Sequence, residues 1–225
     1  KASQVPFLGF GEFHGHELYI SRLPAGWTNV ATGRRTASAM SGPRPSSRAW
    51  LLRQQDDPYV RMARQAGWRS RAVYKLEQIL QKEPMLKPGM VCIDLGAAPG
   101  SWSQYVAHCL KDKVRLLAVD LLPVDALPTL EFIQGDFRED EVVAALREAL
   151  GDTRADLVMS DMAPNISGNK AVDQPRSIYL AELALDLATQ TLTRRGDFIC
   201  KLFQGAGSEA FIKDVRKAFA RVRMI

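Results

Sequence analysis

Lys201 stands inside Asp197-Phe-Ile-Cys-Lys-Leu-Phe203, a run that otherwise reads as a buried strand. An ammonium group in a sheet is costly unless it is paired or used. Other chemistry-capable residues stand at the ends of apolar runs in the same way. Asp94 and Gly96 close "VCIDLG", Asp120 closes "VRLLAVD", Asp136 follows "LEFIQG" and Asp161 follows "ADLVMS". A further lysine, Lys75, borders the apolar stripe Ala72, Val73, Leu76, Ile79 and Leu80 of "SRAVYKLEQIL". At that border its amine can reach the seam between a helix and the body it packs on. Two lysines and a set of carboxylates around one crevice can move a proton, hold a cation and accept hydrogen bonds.

The stretch "DLGAAPGSW" (Asp94–Trp102) reads as a strand, a Gly-rich turn and a helix start. Gly96 and Gly100 permit close backbone approach to a ligand, and the helix start offers free N–H groups. The dinucleotide pattern GxGxxG is absent, which speaks against an NAD-dependent oxidoreductase. Asp120 lies 24 residues after Gly96, placed to accept from ribose hydroxyls. Asp136 can accept from an adenine amino group. The set fits an adenosine without a diphosphate, and S-adenosyl-L-methionine, whose sulfonium and ammonium suit an acidic strand edge, is the leading candidate. "SDMAPN" (Ser160–Asn165) ends the next strand with Asp161 facing the crevice, and it lacks the aromatic residue that stacks a base during amine methylation.

These positions require an α/β scaffold. Continuous apolar strands alternating with amphipathic helices predict a Rossmann-like, mostly parallel, doubly wound sheet, with ligands at the carboxyl ends of its strands. Ser70 is the expected N-cap of the "SRAVYKLEQIL" helix. Trp102, Tyr105, Val106, Cys109 and Leu110 form one face of the next helix. The expected organisation is a segment 1–39 outside the fold, a basic helical segment 40–82, and an α/β domain over 83–225 that holds the candidate methyl-donor site. Residues 41–82 hold nine Lys/Arg and three Asp/Glu, whereas the whole chain carries only +5, so the basicity is a patch suited to a polyanion. Arg44, Arg48, Arg53, Arg61, Arg64, Arg69 and Arg71 can meet phosphates, and Trp68 can stack on a base. Three sparse cysteines suit a reducing cytoplasm, Cys92 and Cys200 as buried hydrophobes. No apolar run approaches the roughly 20 residues of a membrane-spanning helix. His14 and His16 lack further ligands nearby, so no metal is expected. Met40 reads as a natural start.

The order and length of the motifs then resemble the FtsJ/RrmJ family of RNA ribose methyltransferases, of the bacterial RlmE type. The resemblance runs from about Ser46 to Ile225 and includes "SRAVYKL", "DLGAAPGSW", "VDLLP", "QGDFR", "SDMAPNISG", "AVDQPRSIYLAELAL" and "CKLFQG". Ser101 departs from the Gly that bacterial members often carry. The resemblance implies methyl transfer from S-adenosyl-L-methionine to a uridine 2′-hydroxyl of large-subunit ribosomal RNA, as naked RNA or ribosomal particle. Relatives acting on tRNA or mitochondrial rRNA, or an impaired RNA-binding relative, are the alternatives. It places the cofactor at Gly100, Trp102, Asp120, Asp136 and Asp161, and catalysis at Lys75, Asp161 and Lys201. Lys201 is then the general base, Lys75 tunes it and holds the substrate backbone, and Asp161 orients both. A monomer is expected. The family's last strand, with a fourth catalytic residue (Glu), is expected beyond Ile225, leaving a gap beside "DFICKLF" that no residue of this chain fills.

Overall fold

The computed structural model describes residues 57–225 and, before them, the backbone of 16–21. The readings placed on His14, His16, Met40, Arg44, Arg48 and Arg53 concern side chains or segments outside the described residues. In chain order the described elements are β1 (His16–Ser21), α1 (Pro58–Gln65), α2 (Val73–Lys82), β2 (Met90–Leu95), α3 (Ser101–Leu110), β3 (Val114–Asp120) and β4 (Leu130–Gln134). They continue with α4 (Asp140–Leu150), β5 (Ala155–Ser160), α5 (Lys170–Thr191), β6 (Leu192–Leu202), α6 (Ser208–Ala218) and β7 (Arg221–Met224).

Seven strands form one sheet in the order β4-β3-β2-β5-β6-β1-β7. The first five run parallel, as the uninterrupted apolar strands predict. Alternation along each strand feeds two cores. Ile93, Leu95, Leu117, Val158, Phe198 and Cys200 face α4, α5 and α6. Cys92, Leu116, Leu157, Met159 and Ile199 face Leu76 and Ile79 of α2 and Trp102 and Val106 of α3. The basic segment is thus anchored to the sheet through α2.

The remaining pairings correct an expectation. β1 lies antiparallel to both β6 and β7, so residues 16–21 belong to the fold and fill the position expected to be a gap. The physical reason is the row of backbone N–H and C=O groups along β6, which any strand of suitable pattern can satisfy. "HELYIS" has that pattern, with Leu18 and Ile20 at alternate positions. β7 is the outer strand, and Arg221 ties it to Glu83 beyond α2 at 2.9 Å.

Two local expectations also change. The N-cap of α2 is Ala72, and Ser70 instead accepts from the Ala72 amide at 3.2 Å, in a turn ahead of the helix. Cys109 is exposed, and Ser103 and Ala107 take buried places on α3. Helix α5 begins at Lys170, capped by Asn169, and carries Pro175 in its interior. Asp57 caps α1 by accepting from the Tyr59 amide at 2.8 Å, with Pro58 entering the first turn. Among the described residues no helix is long and apolar enough to cross a membrane.

Candidate active site

The glycine turn after β2 is built by backbone conformations that side chains disfavour. Gly96 and Gly100 have φ of +72° and +97°. A Cβ at Gly96 would lie 3.0 Å from the Met162 Cα, so β2 and the loop after β5 meet without a side chain between them. Asp120 braces the turn, its carboxylate accepting from the amides of Ala98 at 2.9 Å and Leu122 at 2.8 Å. Each of its oxygens retains acceptor capacity for a ribose hydroxyl. A cleft beside the turn is lined by Gly96, Ser101, Trp102, Asp94 and Asp161.

Asp94 is a residue whose weight the sequence left unstated. It is only 1% exposed and accepts from the Ser103 hydroxyl at 2.7 Å and the Ser103 amide at 3.1 Å. Burial pushes its carboxyl up to about 7, against the lowering effect of the Ser103 hydroxyl, with nearby Asp161 and Asp120 adding to the rise. Because the folded state holds this proton more tightly than the unfolded chain, stability is present at low pH and falls as pH rises from about 4 to about 7. Asp94→Asn is expected to flatten this decline, by roughly 5 °C of melting temperature relative to wild type at neutral pH. Thermal denaturation across that pH range is the check, and parallel curves for the two proteins would contradict it.

Lys75, Asp161 and Lys201 come together as expected. Lys201 is borne on β6, Asp161 on the loop leaving β5, and Lys75 on α2. The Lys201 ammonium donates to the Asp161 carboxylate and to the Asp161 backbone carbonyl, each at 2.6 Å. Lys75 Nζ lies 3.7 Å from the same carboxylate oxygen. All three side chains are largely enclosed, with exposures of 20, 19 and 11% for Lys75, Asp161 and Lys201. The Phe203 ring centre lies 5.7 Å from Lys201 Nζ, within cation–π range. Burial alone would raise the Asp161 pKa. The ammonium of Lys201, then that of Lys75, outweigh burial and hold the carboxyl below its ordinary range.

The other expected cofactor positions are distributed differently. Trp102 is 3% exposed, and its indole N–H donates to the Ala72 carbonyl at 2.8 Å, so it both lines the cleft and pins α2 to α3. Gly100 lies beside the cleft, backed by Arg69. Asp136 stands two strands from β2 in the sheet order, and its carboxylate accepts from the Arg138 amide and the Arg138 Nε, both at 2.9 Å. The Arg138 side chain in particular holds Asp136 below the usual carboxylate range, despite partial burial.

The basic face divides in two. Arg61 and Arg64 are exposed. Arg71 pairs with Asp57, and Arg69 donates to the Ala126 carbonyl at 3.1 Å, so both brace the fold. Trp68 packs on Tyr105, ring centres 5.5 Å apart, and edge-on to His108. Among the described residues no group of His, Cys, Asp and Glu is placed to hold a metal.

The profile of FtsJ-like methyltransferases matches residues 68–225. The chain belongs to the FtsJ-like methyltransferase family. It is 53% identical over 179 residues to the ribosomal RNA large subunit methyltransferase E of Pseudomonas aeruginosa, covering 80% of this chain and 86% of that protein. The same enzyme of Pseudomonas paraeruginosa is 52% identical over the same shares. Among solved structures, a Plasmodium falciparum protein described as a ribosomal RNA methyltransferase superposes with a TM-score of 0.65. That pair shares 30% identity over 69% of this chain and 90% of the other. The family membership makes the chain a methyltransferase and agrees with the α/β fold read from its strands. Within the family's FtsJ-like core, the three-residue cluster of Lys75, Asp161 and Lys201 is the most enclosed array of charge described above.

Proposed function

We propose that this enzyme transfers a methyl group from S-adenosyl-L-methionine to the 2′-hydroxyl of a uridine in large-subunit ribosomal RNA, acting as a cytoplasmic monomer. The names of its relatives support the RNA class. The observation that carries the chemistry is the single carboxylate of Asp161 set between two lysines at the carboxyl edge of the sheet. Bound beside the Gly96–Gly100 turn, the donor supplies a methyl carbon already activated by its sulfonium. The acidic edge fits that group. Asp94 faces the cleft as a carboxyl that a cation would favour in its charged form, and Asp120 offers acceptors to hydroxyls.

The protein then has one proton to manage and one line of attack to hold. Lys201 would take the 2′-hydroxyl proton as the ribose oxygen attacks, and the donor, held beside the Gly96–Gly100 turn, would supply the methyl group. The resulting ammonium is received by the Asp161 carboxylate and carbonyl, the two acceptors it already has. Lys75 steadies the same carboxylate and meets the negative charge of the RNA backbone. Arg61 and Arg64 extend that positive surface.

Incubation with radiolabelled donor and ribosomal particles lacking the modification, followed by mapping, tests the reading. A uridine 2′-O-methyl group is expected, with RNA affinity falling as salt is raised. Label on a base, or on tRNA alone, would refute it.

A further inference from the structure

The first turn of α5 grips two loops at the sheet edge where Asp161 and Lys201 lie. Asp173 holds the loop that leaves β5. Its carboxylate accepts from the Ser167 amide at 2.9 Å, the Ser167 hydroxyl at 2.7 Å and the Gly168 amide at 3.0 Å. Gln174, the next residue, holds the loop that leaves β6. Its side-chain N–H donates to the Gln204 carbonyl at 2.5 Å, and its oxygen accepts from the Ala206 amide at 2.7 Å. One side-chain amide thus closes on the backbone at both sides of Gly205. Gly205 makes room for it. Its φ is +146°, and a Cβ there would lie 1.6 Å from Gln174 Nε2. Ser208 ties the same loop to α6, its hydroxyl donating to the Gly205 carbonyl at 2.8 Å.

Both loops begin at the reacting groups. Asp161 directly follows β5, and Phe203 directly follows β6. The Phe203 ring centre lies 5.7 Å from Lys201 Nζ, and Lys201 donates to the Asp161 backbone carbonyl at 2.6 Å. A shift of one loop against the other therefore moves the amine. Resting on the proposed reaction, we propose that Gln174 is a positioning residue, which fixes the loop after β6 to α5 and so holds Phe203 and Lys201 in line with the acceptor 2′-hydroxyl. The chemistry of the contact calls for an amide. It needs one donor and one acceptor on the same planar group, which an ionised carboxylate or an ammonium lacks.

The test compares Gln174→Ala, Gln174→Glu and Glu182→Gln with the wild-type full chain. It reads kcat on ribosomal particles, equilibrium binding of the donor, and hydrogen exchange at the Ala206 amide. Gln174→Ala is expected to lower kcat about tenfold, because a small displacement of a reacting group is costly, with donor affinity within about twofold. Its Ala206 amide should exchange about tenfold faster or more. Gln174→Glu carries a signature that a merely structural role does not give. Ionised, it sets an oxygen against the Gln204 carbonyl; protonated, it offers an O–H in place of the lost N–H. Its kcat relative to wild type should therefore rise about twofold or more between about pH 8 and about pH 5. Glu182→Gln, at an exposed place on the same helix, leaves kcat unchanged. A kcat in Gln174→Ala within twofold of wild type would overturn the proposal, and so would a pH-independent ratio for Gln174→Glu. Rapid exchange of the Ala206 amide in the wild type would overturn the grip itself. A wild-type chain that methylates no RNA would overturn the reaction and the role of Gln174 together, and a protected Ala206 amide there would leave only the grip standing.

Discussion

Lys201→Ala is expected to reduce methyl transfer by about 10²–10⁴-fold, the range over which a positioned acid or base contributes. Donor affinity should change little, because the donor site proposed above is the turn after β2, whereas Lys201 is carried by β6. The substitution also removes one of two ammonium groups from Asp161, which keeps Lys75 at 3.7 Å. Some loss of stability follows, so equilibrium binding of the donor must be measured on the same preparation. Lys201→Arg separates charge from proton transfer. A guanidinium can still pair with Asp161, but it stays protonated and cannot accept a proton. It should fold, bind donor and transfer almost no methyl. Near-wild-type turnover in either variant, with donor binding intact, would remove Lys201 from the mechanism.

Removal of residues 1–22 is expected to be the most damaging change to stability. β1 pairs with six residues of β6 and four of β7. Without it the edge of β6 is bare and β7 has no strand neighbour in the sheet. Each hydrogen bond contributes about 0.5–1.5 kcal/mol net, offset in part by the entropy of ordering the arm. A net loss of about 3 kcal/mol corresponds to a fall of roughly 6–12 °C in melting temperature for a chain of this size. The uncovered edge should also promote aggregation. Thermal denaturation followed by light scattering measures both, and a truncated chain with the melting temperature of the full one would show that β1 adds nothing to the fold.

Much of this site could be read from residue order because its parts obey local rules. Asp120 and Asp161 follow apolar runs, and parallel strands present their carboxyl ends on one edge. Lys75 borders a helical stripe, and a border position reaches the seam. What escaped the sequence depended on longer-range or shorter-range physics. "HELYIS" is six residues long, and its pairing with β6 crosses nearly the whole chain, so its short alternation alone names no partner. Pro175 lies inside α5, which Asn169 caps and which tolerates the missing amide. The pairing of Asp136 with Arg138, two residues on, was also not read from the sequence. Ser70 has the right type for a cap, but its hydroxyl serves the turn before α2 and the Ser101 hydroxyl, 2.6 Å away.

The strand order also dictates when the catalytic site can exist. β1 precedes β6 by about 170 residues (Ser21 to Leu192), so during synthesis the arm leaves the ribosome long before its partner. The parallel core from β2 to β5 can assemble in the interval, because each of its pairings joins a later strand to one already present. The arm must wait, and its late closure carries the largest loop-entropy cost in the sheet. Lys201 reaches its antiparallel neighbour only after β6 has emerged. A chain that stops before β6 should therefore hold a formed glycine turn after β2 but no finished lysine–aspartate cluster.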